Sequence, residues 1–410
     1  MKPDCWRTYK LGDIGFFIGG VTSIKKDDYG HGTPFLPYKN VYKNSKIDIS
    51  NLELMRVSSK DIEKRNCIYG DVFFTASSET PDEVAMSSVL LDHIPDLTFN
   101  GFCKRYRLHN FETLLPGFAR YLFRDKSFRK DIYQFATGDI RFNISQESLA
   151  KIEITIPDVF TQSQIASILS SLDDKIELNL QMNKTLEATA QTIFKEWFIN
   201  FRFPGFDGDL VDGLPKGWRI GSILEIADLL GGGTPKTGVN EYWHGSINWI
   251  SAKDITTNNR SFILSSEKYI SESGLRHSSA NLLPKYSTVI SARGTVGNYC
   301  ILPVEMAISQ SNYGIKSNIQ NSDYFVFLMI GNMVEKMKAF SYGTVFDTIT
   351  AKTFREIGII IPSHKEIIHF NEVVTPIFEK ILSNLEQIRS LTQIRDLLIP
   401  KLMTGKIRVA

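Results

Sequence analysis

Two stretches of the chain carry apolar residues at heptad spacing and predict long helices. The pattern in residues 158–202 recurs 205 positions later within residues 363–410. Each pattern spans more than four heptads, which favours paired long helices. Thr161 and Ser363, each followed three residues later by Gln or Glu, are the predicted helix starts. The predicted seam consists of Leu169, Leu172, Ile176, Asn179, Leu186, Ile193, Val374, Ile377, Ile381, Asn384, Leu391 and Leu398.

Polar residues inside this seam carry information about helix pairing. Asn179 and Asn384 occupy equivalent positions of the repeat. If the helices run antiparallel about a pseudo-two-fold axis, both asparagines lie near the axis, where a buried polar pair fixes register at a cost in stability. The alternative is that both side chains face solvent. Pro376 predicts a kink or a restart of the second helix, because proline lacks the backbone donor and clashes one turn back.

The segments before the helices also repeat. Residues 138–157 align without gaps to residues 343–362, and both end in Ile-x-Ile-x-Ile-Pro, a pattern typical of a half-buried strand closed by proline. The Gly-, Pro- and Asp-rich residues 203–215 indicate a linker. The predicted fold class is α+β, with two duplicated mixed α/β domains separated by a long antiparallel coiled-coil helix pair of pseudo-two-fold symmetry. Its predicted segments are a first domain (1–157), a first helix (158–202), the linker (203–215), a second domain (216–362) and a second helix (363–410).

Composition narrows the class of protein. The 410 residues are 42% hydrophobic, which is enough for sizeable cores, and 47 Lys+Arg against 45 Asp+Glu exclude a uniformly basic surface. Residues 158–215 hold nine acidic and four basic residues, so the predicted domains are mildly basic and the first helix is acidic. Four cysteines without a CxxC pair argue against a zinc site and a disulfide framework. Without a signal-peptide core or an apolar run of about 18 residues, we expect a soluble, cytoplasmic protein with no membrane association.

Motifs for catalysis are missing from the sequence. It contains no GxxxxGK[ST], GxGxxG, HExxH or GxSxG motif, and its seven histidines do not cluster at metal-ligand spacings. The Asn/Asp-Pro-Pro-aromatic motif of amino-methylating DNA enzymes is also absent. Residues 231–235 (GGGTP) favour a tight turn over a phosphate cradle, because proline follows where free amides would be needed. We expect no catalytic residue, no metal and no cofactor in this chain.

Several stretches resemble one protein family. They are GGGTPKTGVNEYWHGSINWISAKDI (231–255), YSTVISARGTVGNYC (286–300), FRFPGFDGDLVDGLPKGW (201–218) and LLIPKLMTGKIRV (397–409). These stretches are similar to the specificity (S) subunits of type I restriction-modification systems, the HsdS family. GDVFFTASSE (70–79) is similar to a degenerate first copy of the 286–300 motif, in which Glu79-Thr80-Pro81 replaces the family's GTVG.

The resemblance implies a host-defence role in DNA recognition. Residues 1–157 and 216–362 would be target-recognition domains, each reading one half of a bipartite site in double-stranded DNA. The helix pair would set the unread spacer and dock two methylation (M) subunits, which restriction/translocase (R) subunits join. S-adenosylmethionine, ATP and Mg²⁺ would belong to those partners. The chain itself would be non-catalytic, within a type I site-specific endonuclease and adenine-N6 methyltransferase.

Polar residues on the matched loops are candidates for DNA contact. Basic runs interleaved with aromatics, including residues 104–107 and 120–130, suit phosphate contacts, although the second run also fits a solvated helix face. For each candidate the alternative is a structural turn residue or a plain phosphate contact. The Lys-Asn pair of the first half matches the Lys-Asp pair of the second, although the two half-sites should differ. These pairs therefore also fit a framework role. The candidates are Lys39, Asn40, Arg105, Arg107, Arg141, Lys253, Asp254, Arg293, Thr295, Gln310 and Asn312.

Two hypotheses of different class remain. The first is the non-catalytic DNA-specificity subunit. The second is a two-headed protein-protein adaptor without DNA specificity of its own. Specific DNA binding by the assembled complex that falls steeply with added salt would exclude the adaptor.

Overall fold

The computed structural model describes residues 6–80, 83–135, 137–138, 141–341 and 348–409. The chain divides into two compact units: the first comprises Met1–Ile176 with Ser390–Ala410, and the second comprises Glu177–Arg389. The first five residues of the second repeat segment, including Gly343, lie outside the described residues, and so does Pro81. The domain boundaries expected from the sequence stay a prediction.

The first unit begins with short strands and helices and ends with a long helix. Its elements in chain order are β1 (Arg7–Lys10), α1 (Leu11–Ile14), β2 (Gly15–Gly19), β3 (Tyr29–Leu36), α2 (Tyr38–Lys43), β4 (Glu53–Met55), α3 (Ser59–Arg65), β5 (Val72–Thr75), β6 (Ser77–Ser78), β7 (Ser87–Val89), β8 (Thr98–Phe99), β9 (Cys103–Leu108), α4 (Pro116–Leu122), α5 (Lys126–Ile132), β10 (Phe142–Asn143), α6 (Gln146–Ala150), β11 (Glu153–Ile156) and α7 (Val159–Phe198), which continues into the second unit.

Two main sheets build the first unit. One has the order β2-β9-β5-β7, and the other has the order β4-β3-β8, in which β3 and β8 run parallel. Strand β5 is buried at every position because both of its faces are covered: Val72 and Phe74 pack into one core and Phe73 into another. The first copy of the Ile-x-Ile-x-Ile pattern ends in β11, which pairs with β1. Phe74, Tyr106, Phe118 and Phe123 form the centre of the core.

The second unit repeats this layout. Its elements are β12 (Leu210–Val211), β13 (Leu214–Pro215), β14 (Arg219–Gly221), β15 (Ala227–Gly231), β16 (Trp243–Ile250), α8 (Ala252–Thr257), β17 (Lys268–Ile270), α9 (Glu272–Arg276), β18 (Leu282–Leu283), β19 (Thr288–Ser291), β20 (Tyr299–Ile301), β21 (Met306–Ile308), β22 (Asn312–Ser317), α10 (Asp323–Ser341), α11 (Ala351–Glu356), β23 (Ile359–Ile361) and α12 (His364–Met403), whose last part belongs to the first unit.

The strand order of the second unit matches that of the first, except that β18 adds a fourth strand beside β21. Its sheets are β15-β22-β19-β20 and β17-β16-β21-β18, and β14 pairs with β23 as β1 pairs with β11. The parallel pair recurs at the same place: Phe35 lies opposite Thr98 in the first unit, and Trp249 lies opposite Ala307 in the second. The order that the other strands share shows that the sequence repeat is also a repeat of topology.

The helices α7 and α12 have 40 residues each, about 60 Å at 1.5 Å per residue. In the first unit, Ile165 and Leu169 of α7 share a core with Leu402 of α12. In the second unit the contacts come in opposite order along the two helices: Asn183 meets Asn384, and Phe198 meets Phe370. That order is the one expected of antiparallel neighbours.

The predicted seam residues avoid solvent. Asn179 and Asn384 are both fully buried, so the alternative in which they face solvent does not hold. Each bonds to a side chain of the other helix: the Asn384 amide donates to Asn183 Oδ1 at 2.8 Å, and the Asn179 amide donates to Gln387 Oε1 at 3.3 Å. Three other seam residues, Leu169, Val374 and Ile381, are buried, and the rest are half-buried. Asn183, on the same face of α7, is also buried.

One detail of the helix prediction is wrong, and one of the two alternatives for Pro376 is excluded. Helix α7 begins before Thr161, because the Asp158 carboxylate accepts the Thr161 backbone N–H at 2.9 Å and is the capping group. Helix α12 does not restart at Pro376 but runs unbroken from His364 to Met403. The Thr375 hydroxyl donates to the Asn371 carbonyl at 2.7 Å, so a side chain bonds to the backbone in the turn that proline disrupts.

Candidate functional site

The first candidate pair, Lys39 and Asn40, lies on α2 directly after β3. Asn40 is buried, and its amide donates to the Asp48 and Asn51 carbonyls at 2.8 and 3.2 Å while its Oδ1 accepts the Asp48 N–H at 3.1 Å. Asn40 therefore holds the following loop in place. Lys39 beside it is exposed.

The second candidate pair, Lys253 and Asp254, has the same arrangement on α8. Asp254 accepts the Ser251 N–H at 2.8 Å, and its other oxygen accepts the Glu267 N–H at 2.9 Å. Lys253 is exposed and pairs with Glu267 at 2.7 Å. In both units the second residue of the pair is bonded internally, which favours the framework interpretation for Asn40 and Asp254. DNA contact by the two lysines stays a prediction.

Two candidate arginines of the first unit point inward. Arg107 donates twice to the buried Asp71 carboxylate, at 2.7 and 2.8 Å, and this bonding raises the pKa of Arg107. Arg105 is 1% exposed, donates to the Asn66 carbonyl and lies 3.9 Å from Asp71, and burial lowers its pKa. A carboxylate shared by two guanidinium groups offsets the cost of burying them. In this structure both side chains serve the fold.

The arginines of the basic run at 120–130 are also directed inward, whereas Lys126 and Lys130 are exposed. Arg124 donates to the Ser87 carbonyl at 2.6 Å and to the carbonyls of Val41 and Tyr42, both at 2.9 Å. Burial lowers the pKa of Arg124 to about 10. A cation at these carbonyls, at the C-terminal end of α2, satisfies groups that the helix leaves without partners. The interpretation of this run as a solvated face is wrong at Arg124, which anchors α2.

Arg141 is exposed and lines a cavity of about 410 Å³ in the first unit. The other lining residues are Tyr38, Tyr42, Ser77, Ser78, Glu79, Glu83 and Phe102. Glu83 Oε1 accepts from the Tyr42 hydroxyl at 2.6 Å, and Glu83 Oε2 accepts from the Ser78 hydroxyl at 3.2 Å. Burial raises the pKa of Tyr38, whose hydroxyl donates to the Ser77 carbonyl at 2.8 Å.

Sequence reasoning missed Tyr42 and Glu83. The available signal was the departure from GTVG at Glu79–Pro81, which marks the segment where the first unit differs chemically from the second. The aromatic residues of α2, spaced four apart, were the other signal, since such a spacing places Tyr38 and Tyr42 on one helix face.

The corresponding loop of the second unit follows β19. Gly294 and Gly297 take positive φ angles of 79° and 86°, which the turn requires. Between them Thr295 bonds to Thr256 at 2.9 Å and to Ser291 at 3.2 Å, hydroxyl to hydroxyl. Arg293, the residue before Gly294, is exposed.

The last two candidates, Gln310 and Asn312, differ in solvent exposure. Gln310 is exposed, whereas Asn312 is 2% exposed and donates to the Ile250 carbonyl and the Ser309 hydroxyl, both at 3.0 Å. The candidates that face solvent in the second unit are therefore Lys253, Arg293, Thr295 and Gln310. Within the residues the structure describes, no three His, Cys, Asp or Glu side chains lie close enough to hold a metal ion. No described helix is long and apolar enough to cross a membrane.

Residues 3–188 and 215–396 each match the type I restriction modification DNA specificity domain. Two matching copies, each covering the sheets of one unit, define a duplicated DNA-specificity protein. The chain belongs to the family of type I restriction-modification specificity subunits. The resemblance noted in the sequence is thereby confirmed.

The chain is similar to curated relatives and to a solved structure. It is 27% identical over 423 residues to the type I restriction enzyme MjaIX specificity subunit of Methanocaldococcus jannaschii, covering 99% of this chain and 94% of that one. It is 29% identical over 330 residues to the HindI specificity subunit of Haemophilus influenzae, covering 64% and 71%. The crystal structure of a type I S subunit from M. genitalium matches with a TM-score of 0.66 at 15% identity, covering 97% and 96%, a likeness of fold.

Proposed function

We propose that this chain is the sequence-reading subunit of a type I restriction-modification complex and performs no catalysis itself. Each target-recognition domain, 1–157 and 216–362, reads one half of a bipartite site in double-stranded DNA. The observation that carries the proposal is the double occurrence of one strand order, each copy within one match to the DNA specificity domain. A duplicated reader with different surface residues suits an asymmetric site of two unlike halves.

The helices α7 and α12 would form an antiparallel coiled coil of pseudo-two-fold symmetry that sets the unread gap between the half-sites. Their length of 40 residues each and the buried contact of Asn183 with Asn384 support this role. Half-sites read from one face of B-DNA lie about 34 Å apart per helical turn, so their separation needs a stiff spacer. The exposed Leu178 and Leu180 of α7, 50% and 47% accessible, suit docking of methylation subunits.

The catalytic groups would belong to partners. Two methylation subunits would supply S-adenosylmethionine chemistry, and the restriction/translocase subunits would use ATP and Mg²⁺. The assembled complex would be an adenine-N6 methyltransferase and site-specific endonuclease of the cytoplasm. The proposed DNA contacts are the candidates with exposed basic or amide side chains: Lys39, Arg141, Lys253, Arg293 and Gln310.

The test is to co-express the chain with the methylation subunits of its own system and to map N6-methyladenine across the host genome. We expect one bipartite motif with two unlike halves and a gap of fixed length, absent when this chain is omitted. Methylation of a continuous palindrome would contradict the proposal.

DNA binding by the assembled complex, measured over a range of salt concentrations with duplexes that contain or lack the mapped motif, separates this function from that of a protein adaptor. Binding of the assembled complex to a duplex with the mapped motif should weaken linearly in log–log form as salt rises, because phosphate contacts release counterions. An adaptor would leave the affinity equal for duplexes with and without the motif.

A further inference from the structure

A contact between one helix and one loop recurs at the same place in both units. In the first unit, Tyr42 on α2 bonds to Glu83 at 2.6 Å. In the second unit, Thr256 on α8 bonds to Thr295 at 2.9 Å. Tyr42 and Thr256 occupy matched positions, because each follows the repeated Lys-Asn or Lys-Asp pair by two residues. The fold therefore brings the same helix position to the same loop twice.

The chemistry at this shared place differs between the units. In the second unit small hydroxyls meet each other: Thr295 also bonds to Ser291, and the Asn298 amide donates to Thr256 at 3.1 Å. In the first unit aromatic rings and a carboxylate surround the cavity of about 410 Å³. The rings of Tyr38 and Tyr42 are nearly parallel, at 13° with centroids 6.2 Å apart. Readers of two unlike half-sites require such a difference at equivalent positions.

The cavity is organised before any ligand arrives. Arg124 fixes the end of α2 through the carbonyls of Val41 and Tyr42, and Tyr42 and Ser78 each hold one oxygen of Glu83. A carboxylate has about four acceptor sites and no donor when ionised. Such a group matches the amino group that cytosine presents in the major groove. Adenine fits less well, because its N7 acceptor lies beside its amino group and would face a second acceptor.

We infer that the cavity lined by Glu83, Tyr42 and Arg141 reads one base of the half-site bound by the first unit, with Glu83 accepting the amino group of a cytosine. Arg141, exposed at the cavity, supplies a cation for the neighbouring phosphate. Thr256 and Thr295 hold the equivalent reading position for the other half-site. The inference rests on the proposed function and adds the residue and the class of base.

The experiment is methylation mapping with the complete complex carrying Glu83→Gln, compared with wild type and with Glu63→Gln, an exposed carboxylate on α3 of the same unit. Wild type should require cytosine at one position of one half-site. Glu83→Gln should lose that requirement and admit adenine there, since glutamine pairs with the adenine N6 and N7 atoms. We expect the cytosine-to-adenine preference to change by about ten-fold or more. The other half-site and the gap should stay the same, and Glu63→Gln should keep the wild-type motif.

A second pair of variants fixes which half-site belongs to which unit. Tyr42→Phe removes a donor to Glu83 while keeping the ring, and it should broaden the same base position to a smaller extent. Thr256→Val should broaden a position in the opposite half-site. If Glu83→Gln yields no methylation, Tyr42→Phe decides, and an unchanged motif in that variant overturns the inference.

Two further results would overturn it: an unchanged motif in Glu83→Gln, or changes by Tyr42→Phe and Thr256→Val within one and the same half-site. Failure of the proposed function is distinguishable from both, because wild type would then methylate no bipartite motif at all.

Discussion

The two units share a strand order but not the side chains at matched positions of their long helices. Asp173 of α7 binds three side chains of the first unit at 2.7 to 2.8 Å: Arg120, Tyr121 and Arg395. The position 205 residues later is Phe378, which stacks on Tyr324 with ring centroids 4.3 Å apart. One unit thus uses a charged network where the other uses aromatic packing.

This difference shows what the duplication constrains. Strand pairing depends on backbone hydrogen bonds, which most side chains permit, so topology persists in both copies. Side chains at the helix contacts need only be buried with their polar groups hydrogen-bonded. The charged network around Asp173 and the aromatic stack of Phe378 both meet this requirement. The same freedom at the Tyr42 and Thr256 positions is what two readers of unlike sequences need.

The largest expected effect comes from Asp71, fully buried between Arg105 and Arg107. Asp71→Ala leaves two guanidinium groups without their carboxylate and should cost roughly 3–5 kcal/mol of unfolding free energy. Urea unfolding followed by circular dichroism measures the loss. The matched residue is Thr288, also buried, whose hydroxyl has no hydrogen-bond partner among the described residues. Thr288→Val should therefore be close to neutral, and equal losses in the two variants would contradict this account.

The charged network and the aromatic stack should differ in their response to salt. Asp173→Asn weakens charge-assisted bonds to Arg120 and Arg395 and should cost about 1.5–3 kcal/mol at low ionic strength, less at 1 M salt because charges are screened. Phe378→Leu removes ring contacts without any charge. Its cost should be independent of salt, and unfolding at two salt concentrations makes the comparison. A salt-independent loss in Asp173→Asn would sink the electrostatic explanation.

A smaller loss of unfolding free energy is expected for the hydrogen bond between Asn183 and Asn384, and a pair of variants tests whether the two residues are energetically coupled. Asn384→Leu leaves the buried Oδ1 of Asn183 without its donor at 2.8 Å and should cost roughly 1–2 kcal/mol. Adding Asn183→Leu removes the orphaned group and should restore most of the loss. A double-mutant cycle from urea unfolding gives the coupling, and additive single effects would show that the bond is unimportant.

The smallest effect on stability is expected at Arg293, exposed on the loop after β19. Arg293→Ala should change the unfolding free energy by less than about 0.5 kcal/mol. If Arg293 contacts a phosphate, the salt slope of DNA binding by the assembled complex should fall by about one. Unchanged binding at every salt concentration would remove Arg293 from the candidate contacts.

Local patterns predicted the parts of the fold that depend on local periodicity. The heptads of residues 158–202 and 363–410 became helices at Val159–Phe198 and His364–Met403. The Ile-x-Ile-x-Ile endings became β11 and β23. The pairing of these strands with β1 and β14 joins residues far apart in sequence, and no local pattern specifies it.

The candidate site was predictable only in part, for the same reason. Loop residues such as Arg293 and Gln310 are exposed because turns lie at the surface. Arg105 and Arg107 looked equally available in sequence, but Asp71, 36 residues before Arg107, draws that guanidinium inward. Glu83 escaped notice because its importance comes from its long-range contact with Tyr42.

The central claim is that each domain reads one half-site independently, and a domain exchange tests it most directly. Residues 1–157 are replaced by a second copy of residues 216–362, and N6-methyladenine is mapped after co-expression with the methylation subunits. We expect a symmetric bipartite motif in which both halves are the half-site of the second domain, with a gap of fixed length. Persistence of the wild-type asymmetric motif, or methylation of a continuous sequence, would contradict it.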